Sequence, residues 1–374
     1  MARIRVASIM GTRPEVIKLA PVVKELGRRS GSFEQTVVAT AQHREMLDQV
    51  LSTFAISPDI DLNLMEPDQG LAAFASRSLV AVSQLLESLK PNLVLIQGDT
   101  TTVMSAALAA FYHGISVGHV EAGLRSYDKR NPFPEEINRR VASCLVDIHF
   151  APTELARRNL AREGVSDRDI HVTGNTVVDA LGSVHIEGPF EDDELNGIDF
   201  GARRILLVTA HRRENHGEPL RAICRALKAV AESNEDVGVV YPVHLNPKVG
   251  EMVAAELSGI RNVHLVRPLS YRDLLRLMAR CYLILTDSGG IQEEAPSFRK
   301  PVLVLREVTE RPELIEAGGG KLVGTNSVRI VEETLHLLRD LGDYNKMSRV
   351  DNPFGDGHAA ERIADALEKR FLTA

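Results

Sequence analysis

The stretch TDSGG at residues 286–290, with Glu293 and Glu294 just beyond it, decides the fold of the second half of the chain. The apolar run Tyr282–Leu285 predicts a buried parallel strand, and Ile291 to Ser297 predicts the helix that follows. A glycine turn at such a junction points backbone amides and the positive helix end at an anion, typically a phosphate. Glu294, about one turn inside the helix, can accept two hydrogen bonds from a vicinal diol such as a ribose. The junction therefore predicts a nucleoside-diphosphate ligand, the alternative being an ordinary turn with solvated carboxylates.

Short apolar runs alternate with helical periodicity along the whole chain. The runs that predict strands are Ile4–Met10, Gln35–Thr40, Leu93–Gln97, Ser116–Val120, Ile148–Ala151, Ile205–Ala210, Gly238–Val243, Val263–Val266, Tyr282–Thr286 and Pro301–Leu305. The segments that predict helices include Pro14–Arg29, Leu71–Lys90, Glu218–Asn234 and Arg272–Arg280. Strands without polar alternation, separated by helices, form parallel sheets covered on both faces. The predicted fold class is α/β, with two Rossmann-like, doubly wound domains and the active site in the cleft between them.

The predicted domains are residues 1–170 and residues 171–357. A polar stretch, Glu187–Asp199, lies near this boundary as a linker or an insertion, the alternative being a surface loop within one domain. The amphipathic pattern of Ala359–Phe371 predicts a C-terminal helix. We expect this helix, residues 358–374, to pack back on the first domain.

Composition and charge exclude several classes of function. The chain has 374 residues and a net charge of −7 without a basic stripe, which argues against nucleic acid as a partner. No apolar run is long enough to span a membrane. The three cysteines, Cys144, Cys224 and Cys281, lie far apart in apolar or helical contexts, which predicts reduced core residues of a cytoplasmic protein. The spacing of His, Asp, Glu and Cys predicts no metal site.

Polar residues follow several predicted strands of the first half, at the sheet edge where such folds bind ligands. Arg13 and Lys18 place two cations beside the start of the first predicted helix, which suits a diphosphate. The turn is not a GxGxxG fingerprint, so NAD is not predicted. Asp99, Glu121 and Glu135 are expected on one face, where clustered carboxylates suit proton abstraction and donation. A helix cap explains Asp99 as well, and the helix dipole explains an acidic residue such as Glu135.

Two histidines and an arginine follow predicted strands of the second half. His211, in the stretch HRRE, is placed to hold or protonate a leaving diphosphate, with local ion pairs as the alternative. His244 repeats the arrangement and is equally explained as a hydrogen-bonded histidine at a strand end. Arg311 offers another cation, or a structural contact.

Together, these motifs resemble those of the bacterial non-hydrolysing UDP-N-acetylglucosamine 2-epimerases. The resemblance covers nearly the whole chain in order, and so many long motifs are highly specific. The stretches that carry it are GTRPEVIKLAP, AQHREMLDQV, GDTTT, GHVEAGLRS, PFPEEINR, TGNTVVDAL, TAHRREN, YPVHLNP, TDSGGIQEEAPS, TERPE and NPFGDG.

The resemblance implies two Rossmann-like domains similar to the B class of glycosyltransferase folds, and a homodimer. It implies reversible conversion of UDP-N-acetylglucosamine (UDP-GlcNAc) to UDP-N-acetylmannosamine (UDP-ManNAc) by inversion of the second sugar carbon. It implies no cofactor, neither NAD nor metal, and cell-surface polysaccharide as the usual destination of the product.

Site residues carry over by position. Arg13 and Lys18 would meet the diphosphate and the sugar, and Arg311 matches another substrate contact. Ser288, Gly289 and Gly290 would donate to phosphate, Glu294 would hold the ribose, the loop at Pro268 and Leu269 would hold uracil, and Leu274 would line the base. The catalytic set would be Asp99, Glu121, Glu135 and His211.

The chemistry of the reaction explains these residue types. The hydrogen on the second carbon is not acidic, but it becomes so when UDP departs and positive charge develops at the anomeric carbon. Elimination then gives a glycal, and UDP adds back after a proton reaches the other face. This sequence needs a cationic grip on the diphosphate and carboxylates on both faces of the sugar. The sequence does not assign the base and the acid among the carboxylates.

Some bacterial relatives bind a second UDP-GlcNAc as an activator, and Gln42, Glu136 and His244 match positions associated with that site. Glu45 and Asp68 stand where such relatives can carry a glutamine and a basic residue. Because Asp68 would repel a diphosphate, we expect weak or altered activation.

Other functions remain open at this point. A hydrolysing epimerase would release free ManNAc and UDP. A nucleotide-sugar glycosyltransferase would need an acceptor, and a nucleotide-sugar sensor would lack a catalytic carboxylate. An epimerase for a related sugar, such as a diacetamido-uronic acid, has the same physical requirements.

Overall fold

The chain folds into two compact units, residues 1–184 with 354–374 and residues 185–353. The computed structural model describes residues 3–40, 44–66, 69–212, 215–244 and 246–372. The first unit ends beyond residue 170, where the sequence analysis places its boundary, because Ile170–Val172 is a strand of the first sheet.

Strands and helices alternate through the described ranges. The strands are β1 Ile4–Met10, β2 Phe33–Ala39, β3 Ile60–Asp61, β4 Leu93–Gln97, β5 Ser116–Val120, β6 Ile148–Ala151, β7 Ile170–Val172, β8 Arg204–Thr209, β9 Val237–Pro242, β10 Val263–Val266, β11 Leu283–Thr286, β12 Val302–Val304 and β13 Gly320–Leu322. The helices are α1 Arg13–Arg28, α2 Arg44–Thr53, α3 Leu71–Leu89, α4 Thr101–Tyr112, α5 Glu135–Leu145, α6 Glu154–Arg162, α7 Thr176–Ser183, α8 Asp193–Asn196, α9 Glu218–Ser233, α10 Pro247–Leu257, α11 Tyr271–Arg280, α12 Gly289–Glu294, α13 Pro312–Glu316, α14 Ser327–Arg339, α15 Leu341–Ser348 and α16 Ala359–Leu372.

The first unit holds a parallel sheet in the order β3-β2-β1-β4-β5-β6-β7. Its central strand β4 is buried along its whole length, since helices cover both faces of the sheet. Ile9, Ile96 and Val117 lie in one core with Val103 and Ala106 of α4. The C-terminal helix α16 belongs to this unit and packs against α1 and α7.

The second unit holds a parallel sheet in the order β10-β9-β8-β11-β12-β13. Leu206, Val239 and Leu285 of this sheet pack with α9 and α14 in one core. Two doubly wound parallel sheets confirm the predicted α/β class. Each order reverses once, between β1 and β4 in the first unit and between β8 and β11 in the second.

Several local predictions differ from the structure. The strands β3, β7 and β13 were not predicted, because they have only two or three residues each. The helix after the glycine turn ends at Glu294, and a 3-10 turn, Ala295–Phe298, replaces its predicted end because Pro296 has no amide hydrogen to donate. Cys144 is exposed, so the prediction of a core residue is wrong there, whereas Cys224 and Cys281 are buried. Within the described residues, no helix is both long and apolar enough to cross a membrane.

Candidate active site

The predicted site residues lie at the carboxyl ends of strands, near the point in each sheet where the strand order reverses. In doubly wound folds this switch point is where ligands bind. In the first unit, the segments after β1, β4 and β5 contain Arg13, Asp99 and Glu121. In the second, His211 follows β8, and Ser288 follows β11.

Glu121 is the most constrained carboxylate of the first unit. It follows β5 with a φ of 66°, a left-handed conformation that is unfavourable for a residue with a side chain, and it is 8% exposed. One carboxylate oxygen forms a buried ion pair with Lys18 of α1 and accepts a hydrogen bond from Asn175 Nδ2 at 3.0 Å. The other oxygen accepts from the side-chain amide of Gln97. Two helices and a strand thus fix the direction of this carboxylate.

Asp99 is held by the helix α5. Arg139 bonds its carboxylate through two nitrogens, at 2.9 and 2.7 Å, and Asn138 donates to its backbone carbonyl at 2.9 Å. Asp99 is not the helix cap that the sequence allowed, because the side chain of Thr100 caps α4. Asp99 and Glu121 each have a cation as a partner, which keeps two acidic groups at one sheet edge without leaving their charges uncompensated.

Glu15 joins the turns that follow β1 and β4. Its carboxylate accepts from the backbone amides of Gly11 and Thr12, and from the hydroxyl of Thr100 next to Asp99. The side chain is 1% exposed. Burial raises the pKa of Glu15 to about 7, although these hydrogen bonds oppose the change. Glu15 was not among the predicted site residues.

His119 stabilises the turn that follows β4 through a hydrogen bond to its backbone. Its Nε2 donates to the carbonyl of Gly98 at 2.7 Å, and burial lowers its pKa to about 4, so the ring is neutral. Arg13 and Glu135 are the first residues of α1 and α5, and both are partly buried.

In the second unit, Asp287 organises the end of β8. It is fully buried, and one of its oxygens accepts from the backbone amides of His211 and Arg212 and from Asn215 Nδ2, all at 2.9 Å. Its other oxygen lies 3.4 Å from Nδ1 of His211. Desolvation lowers the pKa of the His211 imidazole although 42% of the side chain is exposed, while Asp287 opposes this change. The ring is therefore mainly neutral at pH 7.

The glycine turn after β11 lies beside cationic side chains. A Cβ atom on Gly289 would lie 3.6 Å from Arg212 Nη2 and 3.7 Å from the guanidinium carbon of Arg311. Arg311 is itself paired with Glu293 of α12. Ser288 occupies the N-cap position of α12 without a side-chain cap hydrogen bond, and Gly289 and Gly290 begin the helix. Backbone amides and two guanidinium groups at one turn are suited to an anion.

Glu310 balances this positive charge. It pairs with Arg306 at 2.7 Å and lies 3.8 Å from Arg212. Burial by itself raises the pKa of Glu310, but the hydrogen bond from Arg306 and the charges of Arg212, Arg306 and Arg311 together bring it to about 2. The group is thus a permanent anion that holds the arginines in place.

Glu294 is buried at the end of α12, where the hydroxyl of Tyr271 donates to it at 3.0 Å. Leu269 is 8% exposed and precedes α11, and Leu274 is partly buried within that helix. These residues thus lie in one unit with the glycine turn.

The three residues predicted for an activator site have different environments. Gln42 lies outside the described residues. Glu136 is buried, where it accepts from the amides of Ser126 and Tyr127 and from Arg139. His244 is exposed, and its ring stacks on that of His211 with centroids 5.5 Å apart. Glu136 therefore shares Arg139 with Asp99, and His244 touches the predicted catalytic histidine.

Several side chains that hold the predicted site residues in place were not themselves predicted. These are Glu15, Gln97, Arg139, Asn175 and Tyr271. Gln97 ends β4, so its position alone was a signal, whereas the contacts of Asn175 and Tyr271 depend on how distant segments pack.

Two doubly wound sheets, each with polar groups at its switch point, define a two-unit, Rossmann-like α/β protein. A family model described as UDP-N-acetylglucosamine 2-epimerase matches residues 24–368. The UDP-N-acetylglucosamine 2-epimerase of Escherichia coli K12 is 50% identical over 377 residues, covering 99% of this chain and 100% of the relative. The chain belongs to the UDP-N-acetylglucosamine 2-epimerase family.

Solved structures agree with this assignment. A protein from Listeria monocytogenes has a TM-score of 0.95 and 48% identity, with 100% of this chain and 98% of that chain covered. The UDP-GlcNAc 2-epimerase of Neisseria meningitidis, solved bound to UDP-GlcNAc, has a TM-score of 0.90 and 44% identity, with 98% and 100% covered. A glycosyltransferase of kitacinnamycin has a TM-score of 0.66 at 14% identity, which shows the shared fold and confirms its predicted class.

Proposed function

We propose that this protein interconverts UDP-GlcNAc and UDP-ManNAc by inverting the second sugar carbon, without net hydrolysis. The observation that carries the proposal is the full-length match to a named 2-epimerase at 50% identity. The bound UDP-GlcNAc of the Neisseria meningitidis relative supports the choice of ligand.

The second unit would hold the UDP group. The hydroxyl of Ser288 and the amides of Gly289 and Gly290, with Arg311, would bind the diphosphate, because an anion is favoured at a helix start beside guanidinium groups. The Ser288 amide itself donates to Thr286 Oγ1 at 2.9 Å. Glu294 would accept from the ribose hydroxyls, with Tyr271 fixing its orientation. Leu269 and Leu274 would border the uracil. Arg13 and Lys18 of the first unit would contact the diphosphate and the sugar.

Proton transfer at the second carbon would fall to the carboxylates of the first unit. Loss of UDP develops positive charge at the anomeric carbon and makes the neighbouring hydrogen acidic, so a carboxylate can then remove it and leave a glycal. A second carboxylate returns a proton to the opposite face before UDP adds back. Glu121, Asp99 and Glu135 are the proposed members of this set, and the fixed direction of Glu121 suits a base.

His211 would act on the departing diphosphate. A mainly neutral imidazole at the end of β8 can donate a hydrogen bond to a phosphate oxygen as negative charge grows there. Asp287 would keep the ring oriented and stabilise it if it becomes charged.

We also propose weak or altered activation by UDP-GlcNAc through Gln42, Glu136 and His244, with Asp68 disfavouring a diphosphate. A hyperbolic rate curve for UDP-ManNAc without added UDP-GlcNAc would support this, and an absolute requirement for UDP-GlcNAc would contradict it. A homodimer and a cytoplasmic location stay predictions.

Proton NMR with UDP-GlcNAc in heavy water tests the main proposal. We expect UDP-ManNAc with deuterium at the second carbon and little free UDP. The variants D99N and E121Q should each lose activity by at least about 100-fold because they remove a proton-transferring group. Free ManNAc with equal UDP would instead identify a hydrolysing enzyme. No change in the substrate would reject the epimerase and favour a transferase or a related sugar.

A further inference from the structure

Asn175 contacts Glu121 from a motif, TGNTVVDAL, that the proposed mechanism does not use. Its side-chain nitrogen donates to Glu121 Oε1 at 3.0 Å, and the residue is 2% exposed. The two residues are 54 positions apart in the chain. The contact is therefore a feature of the folded unit.

The amide group of Asn175 has only one orientation that satisfies its surroundings. Its oxygen accepts from the backbone amide of Val177 at 3.0 Å and so caps α7. Because the oxygen is needed for the cap, the NH2 group must point to Glu121. The side chain is thus a directed donor.

The returning C-terminal segment fixes the backbone of Asn175. The backbone amide of Asn175 donates to the carbonyl of Phe354 at 2.6 Å, and Phe354 is buried. A Cβ atom on Gly355 would lie 3.3 Å from the Asn175 nitrogen, so the close approach favours a glycine. This contact gives the motif NPFGDG a structural purpose in the first unit.

Asn175 supplies the directional contact to Oε1 of Glu121, since Lys18 bonds the same oxygen without a fixed direction and the Gln97 amide bonds Oε2. Lys18 supplies a compact charge that can bond a carboxylate from many angles, whereas an amide N–H defines a direction. The left-handed backbone of Glu121 also lacks the support of a regular strand.

We propose that Asn175 is a positioning residue that orients the Glu121 carboxylate for proton transfer, and that the contact with Phe354 holds it there. This inference rests on the proposed function. It predicts that removing the donor slows the chemical step more than it weakens substrate binding or folding.

The variant N175S isolates the donor. Serine caps helices as well as asparagine does but is too short to reach Glu121, so folding is retained. We expect kcat to fall about 10- to 100-fold, as for loss of a hydrogen bond to a charged group, while KM changes by less than about threefold. The melting temperature should fall only slightly, because Glu121 keeps Lys18 and Gln97 as partners.

The variant N175D supplies a second readout. At about pH 8 it places two carboxylates side by side, whereas at about pH 6 a shared proton restores a donor between them. The ratio of its kcat to that of the wild type should therefore rise as the pH is lowered. Asn262 is a matched control, since it is a buried asparagine of the second unit. Its side-chain nitrogen donates to three backbone carbonyls, at 2.9, 3.4 and 2.7 Å. N262A should lower the melting temperature without a comparable loss of kcat.

Failure of the inference is distinguishable from failure of the proposed function. If the wild type does not epimerise UDP-GlcNAc, the proposed function is wrong and the inference falls with it. If the wild type is active and N175S keeps its kcat, Asn175 does not position Glu121. Two results together would show that Asn175 is only a structural cap. The loss of kcat in N175S would be accompanied by a comparable loss of stability, and the ratio of the N175D kcat to the wild-type kcat would not depend on pH.

Discussion

Replacing Glu15 by glutamine should stabilise the protein at alkaline pH. Glu15 is buried and accepts three hydrogen bonds, so its ionised form is well bonded but poorly solvated. A glutamine can keep the geometry, with its oxygen accepting from Gly11 and Thr12 and its nitrogen donating to Thr100. The substitution therefore removes a buried charge and little else.

The size of the effect follows from the raised pKa. Burial raises the pKa of Glu15 from 4.5 to about 7 in the folded protein. A folded-state pKa above the unfolded value favours the protonated form, so the stabilisation is complete below about pH 4.5 and is lost as the pH rises through about 7. At about 1.36 kcal/mol for each pH unit, the loss reaches about 3 kcal/mol at pH 8. The advantage of E15Q over the wild type should grow by about 2 kcal/mol between pH 5 and pH 8.

Urea unfolding of both proteins across this pH range measures the difference directly. Glu25 of the same helix is the matched control, since hydrogen bonds from Arg28 and Arg29 lower its pKa despite its burial. A depressed folded-state pKa stabilises the protein above the unfolded value of 4.5, so E25Q should be less stable than the wild type by an amount that stays constant between pH 5 and pH 8 and shrinks only at lower pH. Between pH 5 and pH 8, therefore, the stability difference should change with pH for E15Q and not for E25Q. A stability difference for E15Q that does not depend on pH would refute the reasoning.

Three further predictions rest on single features of the structure. K18M should lower the free energy of unfolding, measured in urea, by about 3 to 5 kcal/mol, because the Glu121 carboxylate stays buried without its cation. In the double variant that also replaces Glu121, this loss should be smaller by more than about 1 kcal/mol. G123A should cost about 2 kcal/mol or more, since this glycine has a φ of 92° and an added Cβ would lie 2.3 Å from the Ala156 carbonyl oxygen. A soluble disulfide reagent should label Cys144 in the folded protein and the two buried thiols, whose pKa burial raises to about 12, only after unfolding.

Local sequence patterns predict much of the fold. Mainly apolar runs predicted β1, β4 and β5 with correct bounds, because strands covered on both faces are mostly apolar. The short strand β7 carries two exposed or half-exposed residues and has no such run, so it escaped prediction. Its pairing with β6 moves the end of the first unit past the predicted boundary. Tertiary pairing, and not local preference, makes these residues a strand.

The site is predictable to the extent that its residues follow strands. Asp99, Glu121 and His211 were predicted because a polar residue after a buried strand lies at the sheet edge, and each follows a strand in the structure. Lys18 was predicted as a site residue, but its pairing with Glu121 was not, and neither was the pairing of Arg139 with Asp99, because only the order of strands brings these distant segments together. The spacing of 103 positions between Lys18 and Glu121 carries no periodic signal.

The two units differ in how they use buried charge, and the difference matches the proposed chemistry. In the second unit, the side chains of Asp287 and Glu310 accept from amides and arginines, so they hold donors in place around the glycine turn. A unit with donors fixed in this way is suited to bind a diphosphate throughout a reaction. In the first unit, the cation Lys18 and two side-chain amides hold Glu121, so the carboxylate is the group that is positioned. A proton acceptor must keep its direction while its charge changes, and directional amide donors provide that where a lysine alone would not.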